Sequence, residues 1–103
     1  MINLLEETEE IMKDYGQSPE TVSWVTSLSK GEECIATWDE FKILADFTYD
    51  AGFGGAEINE DLKVIFKDGS WLERHEYDGS EWWEYKKTPK MTERPRAMTR
   101  KDI

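Results

Sequence analysis

The stretch from 73 to 84 gathers the residues best suited to chemistry: Glu73, His75 (the only histidine), Glu76, Asp78, Glu81 and Glu84. Carboxylates held face to face drive their pKa values apart, and such a pair can work as acid and base, as in glycoside hydrolysis. The same oxygens could collect a divalent cation. Either chemistry needs a cleft and supporting groups. A 12.1 kDa chain built around a sheet offers little depth, and no Ser-His-Asp or Cys-His pairing can be assembled from one histidine and one cysteine. The expectation is therefore a non-catalytic protein with no cofactor and no metal site. On this reading the carboxylates form a solvated or partner-facing surface.

Aromatic residues crowd the same stretch. Trp82 and Trp83 are consecutive, so in a strand their rings point to opposite faces, one to a core and one away from it. A Trp set among Glu and Tyr, without interleaved Lys or Arg, fits a protein-interface anchor better than a nucleic-acid stacking platform. The candidate partner-binding set is Glu73, His75, Glu76, Asp78, Glu81, Trp82, Trp83 and Glu84.

Two tight reversals must position these residues. Asp68-Gly69 and Asp78-Gly79 lie ten residues apart between aliphatic and aromatic runs. Asp and Gly tolerate the positive φ angles of hairpin turns, so residues 62–87 read as a three-stranded antiparallel meander. A two-residue turn at 78–79 would set Glu76 against Glu81, His75 against Trp82 and Glu73 against Glu84. A three-residue loop would set His75 against Glu81 and Trp71 against Tyr85. Direct opposition of like charges leans toward the second register, and the sequence leaves both open.

Upstream, residues 2–15 read as an amphipathic helix with Asn3 as N-cap, Leu4, Leu5, Thr8, Ile11, Met12 and Tyr15 at helical spacing, and Gly16 as its stop. Thr21 to Leu28 and Glu33 to Ala36 read as a hairpin, in which Cys34 would be a buried strand thiol. Thr37-Trp38-Asp39-Glu40 fits a capping box, opening a second helix that packs Phe41, Leu44 and Ala45, and Thr48 where it extends that far, on the sheet. It should end between Asp46 and Tyr49. The loop Gly52, Phe53, Gly54, Gly55 lacks the spacing of a dinucleotide or phosphate-binding motif. It reads as a structural connection that could also admit a small ligand or a metal ion. The resulting fold class is α+β in one domain over 1–88: N-terminal helix, β-hairpin, second helix and meander, with a single five-stranded sheet as one outcome. A basic C-terminal tail follows over 89–103.

Charge divides along the same line. Residues 1–85 carry 21 acidic and six basic side chains, whereas residues 86–103 carry seven basic and two acidic ones, giving −10 in all. An acidic body repels nucleic-acid phosphates and anionic membranes and draws basic partners from a distance. No apolar run approaches the ~20 residues a membrane helix needs, and no signal peptide is visible. One cysteine gives no disulfide framework. A cytoplasmic protein is expected, with a basic protein as partner and no direct nucleic-acid or membrane binding by the body. A homodimer is the alternative.

The string DGSWLERHEYDGSEWWEYKKTP, with YDAGFGGAEI upstream, resembles small accessory proteins encoded by bacteriophages and prophages. The resemblance covers about Thr37 to Pro89 and carries no catalytic residues with it. It implies a protein acting in the cytoplasm of a bacterial host. By analogy with small acidic phage proteins that occupy basic surfaces, it implies an inhibitor of a host nucleic-acid-handling or defence protein.

Overall fold

The computed structural model describes residues 1–52 and 54–103. Helix α1 (Leu4–Asp14) is preceded by the two-residue strand β1 (Ile2–Asn3), and Asn3 caps it by accepting from the Glu6 amide at 3.0 Å. Hairpin strands β2 (Val22–Ser29) and β3 (Glu32–Ala36) follow, then helix α2 (Trp38–Leu44) and the short strand β4 (Thr48–Tyr49). Strands β5 (Lys63–Phe66), β6 (Trp71–Tyr77) and β7 (Ser80–Lys86) are the meander. Both halves of the expected capping box form: Glu40 N–H donates to Thr37 Oγ1 and Thr37 N–H donates to Glu40 Oε1.

The fold is α+β. One antiparallel sheet of order β3-β2-β5-β6-β7 joins the first hairpin to the meander, and β1 pairs with β4 in a separate two-stranded ribbon that the sequence gives no sign of. Both helices lie on one face of the large sheet. Val22, Val25, Val64, Phe66, Leu72 and Trp83 point to that face and bury against Leu4 and Met12 of α1, Trp38 and Phe41 of α2, and Ala45 just past its end. Each of the Val, Leu, Phe and Met side chains contributes about 1.5–3 kcal/mol on burial, which is why the helices settle there and the other face stays open.

Three expectations are corrected. Helix α2 stops at Leu44, and Leu44 and Thr48 are exposed, because Ala45 takes the C-cap and the chain turns away to form β4. Cys34 is exposed, since β3 is the sheet edge and only Ala36 of it is drawn toward the core. The turn at 78–79 has two residues, with Asp78 at φ 51° and Gly79 at φ 85°, so the register is the one that opposes Glu76 to Glu81 and Glu73 to Glu84. Every residue from Lys87 to Ile103 is exposed, and within this segment Arg96 pairs with Asp102.

Candidate functional site

The open face is built by strand register. Trp24, Ile65, Trp71 and Lys86 align as one row across β2, β5, β6 and β7, and Ile35, Thr26, Lys63, Glu73 and Glu84 form the next across all five strands. His75 opposite Trp82 begins a third. Trp24 is 47% exposed and Trp82 36%, whereas Trp71 is half-buried among its neighbours.

Opposed Glu73 and Glu84 are tolerated because donors surround them. Trp71 Nε1 donates to Glu73 Oε1 at 2.8 Å and Trp82 Nε1 donates to Glu84 Oε2 at 3.0 Å. His75 Nε2 sits between them, 2.9 Å from Glu73 Oε2 and 3.4 Å from Glu84 Oε1, and Lys86 Nζ lies 3.1 Å from Glu84 Oε1. The Trp71 indole, more than His75, holds the Glu73 carboxyl below its ordinary range. The Trp82 indole, then Lys86, does the same for Glu84. Held by these donors, the two carboxylates are oriented acceptors on the open face. The imidazole stacks on Trp82, with ring centroids 6.5 Å apart.

Two members of the predicted surface lie elsewhere. Trp83 is buried, its Nε1 donating to Thr8 Oγ1 at 2.9 Å. Glu81 is also buried, because its carboxylate turns inward to Arg74, with Nη2 3.0 Å from Oε1, and accepts the Glu57 and Ile58 amides at 2.6 and 3.0 Å. Both point to the helix-covered side, away from the open face. Glu76 and Asp78 stay exposed at the hairpin tip, Glu76 accepting from Gly79 N–H at 3.0 Å.

Arg74 is the residue that sequence reasoning passed over. Its side chain is 2% exposed, and it reaches Glu81, Glu7 at 3.3 Å and the Tyr49 hydroxyl at 2.9 Å, while stacking over the Trp83 ring at 4.9 Å. A buried cation with two carboxylates is a structural knot. Desolvation, reinforced by the hydrogen bond to Glu7, pushes the Tyr49 phenol up to about 12. The available signal was parity: Leu72 and Arg74 alternate onto the same face, so an inward leucine implied an inward arginine.

The glycine loop is tied to this knot. Ala51 C=O accepts from Glu81 N–H at 2.8 Å, Gly52 N–H donates to Asp50 Oδ1 at 3.2 Å, and Gly54 C=O lies 3.0 Å from where a Cβ on Gly79 would stand. Gly52, Gly54 and Gly55 therefore lie in a connection clamped on the hairpin tip; Phe53 lies outside the described residues. Among the described residues, no group of three or more His, Cys, Asp or Glu side chains is arranged to hold a metal ion, and no helix is long and apolar enough to cross a membrane. No family model, curated protein or solved structure matches the chain.

Proposed function

We propose that the protein is a non-catalytic protein-binding module that docks through the open face of its five-stranded sheet. One observation carries this reading: Trp24, Trp71 and Trp82, with Ile65 between them, occupy a face that neither helix covers. Indoles in a half-buried sheet lose little conformational freedom on binding and supply large contact area, as interface anchors do. Glu73 and Glu84 are held in place by their donors and offer oriented acceptors to an incoming Lys or Arg. The partner is a basic protein, drawn in by the acidic body and then seated on the indoles. The resemblance of the meander string to phage accessory proteins supports a bacterial cytoplasmic setting and a host nucleic-acid-handling or defence protein as that partner.

Affinity capture from bacterial lysate tests this, with wild-type, Trp24→Ala and Trp82→Ala chains as parallel baits and circular dichroism as the folding control. An interface anchor contributes about 2 kcal/mol or more, so a true partner dissociates about 30-fold more readily from either variant. Equal retention by all three baits would discard the sheet face. A second reading has its own support. The face carries Lys63 and Lys86 as well as Glu73 and Glu84, a self-complementary pattern suited to a two-fold dimer. Sedimentation showing a monomer at all concentrations removes it.

A further inference from the structure

The sheet has a second unpartnered feature, the outer edge of β7, and a groove of about 210 Å³ runs beside it. Glu7, Glu10, Ile11 and Asp14 of α1 form one wall, and Trp82 and Trp83 of β7 the other. In a hairpin closed by a two-residue turn, the residues flanking the turn exchange both backbone bonds, and alternate residues after them do the same. Ser80, Trp82, Glu84 and Lys86 thus direct N–H and C=O to β6, and Glu81, Trp83 and Tyr85 direct theirs to the open edge. The Glu81 N–H is taken by Ala51. Among the described residues, Trp83 and Tyr85 make no backbone bond to another segment, which leaves a slot between the Ala51 contact and the start of the tail.

We infer that this slot is a strand-addition site for an extended, basic segment of a partner protein. The edge supplies main-chain pairing and the groove decides the side chains. Glu7, Glu10 and Asp14 recur at three- and four-residue intervals on one flank of α1, about 5–6 Å apart. Alternate side chains of a bound strand recur every ~6.7 Å, so successive Lys or Arg residues meet successive carboxylates. Glu7 is already engaged by Arg74 and Tyr49, whereas Glu10 and Asp14 are exposed and, among the described residues, make no ion pair. Side chains on the other face of the added strand rest against Trp82. The chain's own tail is basic as well, but Pro89 and Pro95 remove backbone donors that a paired strand needs. Residues 96–103 carry no proline, but every tail residue is exposed and, among the described residues, the tail's ion pair is its own, Arg96 with Asp102, so the occupant is a separate protein. This site stands apart from the open-face reading, with which it shares Trp82 alone.

The test is fluorescence anisotropy with a labelled eight-residue peptide alternating Lys or Arg with Val. It is made unmodified, N-methylated along one edge, or N-methylated along the other. The wild-type chain should bind the unmodified peptide, and methylation of one edge only should weaken binding at least tenfold. Glu10→Gln with Asp14→Asn, on exposed positions that do not threaten folding, should weaken it about tenfold and flatten its salt dependence. Trp24→Ala should leave it unchanged, which separates this site from the open face. Lack of binding at millimolar peptide, indifference to methylation of either edge, or full affinity in the double variant would overturn the proposal. So would a dimer that the peptide dissociates, since the occupant would then be a second copy.

Discussion

Replacing Arg74 by Met tests the physical account of the fold most severely. The side chain is 2% exposed and serves Glu81, Glu7, the Tyr49 hydroxyl and the Trp83 ring at once. Methionine keeps most of the volume, so packing changes little and the loss is electrostatic. Removing one member of a buried ion pair costs about 3–5 kcal/mol, because the remaining charge stays desolvated. The Glu81 carboxylate cannot swing to solvent without releasing the Glu57 and Ile58 amides. Domains of this size hold about 5–15 kcal/mol in all. At about 4–8 °C per kcal/mol for 60–100 residues, the melting temperature should fall by about 12–40 °C. Thermal and urea unfolding followed by circular dichroism measure this directly. Glu81→Gln retains one acceptor without the charge, so adding it to Arg74→Met should cost less than the sum of the two single losses, by about 0.5–3 kcal/mol. A loss under about 1 kcal/mol for Arg74→Met, or strict additivity, would refute the idea that this knot holds the hairpin to the loop.

Other outcomes follow from the same contacts. Gly79→Ala should destabilise more than Gly69→Ala in urea unfolding: both positions have positive φ, at 85° and 87°, but only at Gly79 does the new carbon meet another segment, the Gly54 carbonyl at 3.0 Å. The Gly69 change should cost about 1 kcal/mol and the Gly79 change visibly more. Tyr49 should ionise about two units above an ordinary phenol, near 12, in an ultraviolet titration. Its folded-state pKa is raised, so the stability it contributes is fully present below pH 10 and disappears as pH rises through about 12. Glu73 and Glu84 have depressed folded-state values. Their contribution is present above the ordinary Glu value near 4.3 and is lost as pH falls through the folded one. Trp71→Phe removes the main cause at Glu73, and its carboxyl should then titrate at higher pH by NMR.

The first hairpin, the capped second helix and the meander were legible because each has a local cause: Asp-Gly turns, alternation of apolar residues, and a Thr-x-x-Glu box. The strand pair β1–β4 was not, since two-residue strands leave no period to read. The preference for a three-residue loop at 78–79 failed for an instructive reason. It treated Glu76 and Glu81, and Glu73 and Glu84, as bare opposed charges. In the folded chain Glu81 is turned onto Arg74 and Glu84 is shared among Trp82, His75 and Lys86. Turn chemistry then decides the register, with Asp78 and Gly79 both at positive φ.

Of the candidate surface, Glu73, His75, Trp82 and Glu84 do converge on one face, while Trp83 and Glu81 are inside. Consecutive tryptophans required that one ring face each way, and the sequence alone determined that much. It also determined the class of fold, the turns and the separation of an acidic body from a basic tail, because these depend on neighbours a few residues apart. Which face the helices cover, that Arg74 would find Glu7 and Glu81, and that Trp24 would align with Trp71 were decided only by the tertiary structure. Apart from Arg74 and Glu81, seven residues apart across one hairpin, those pairings join segments tens of residues apart, and their energies exist only once burial has removed the water between them.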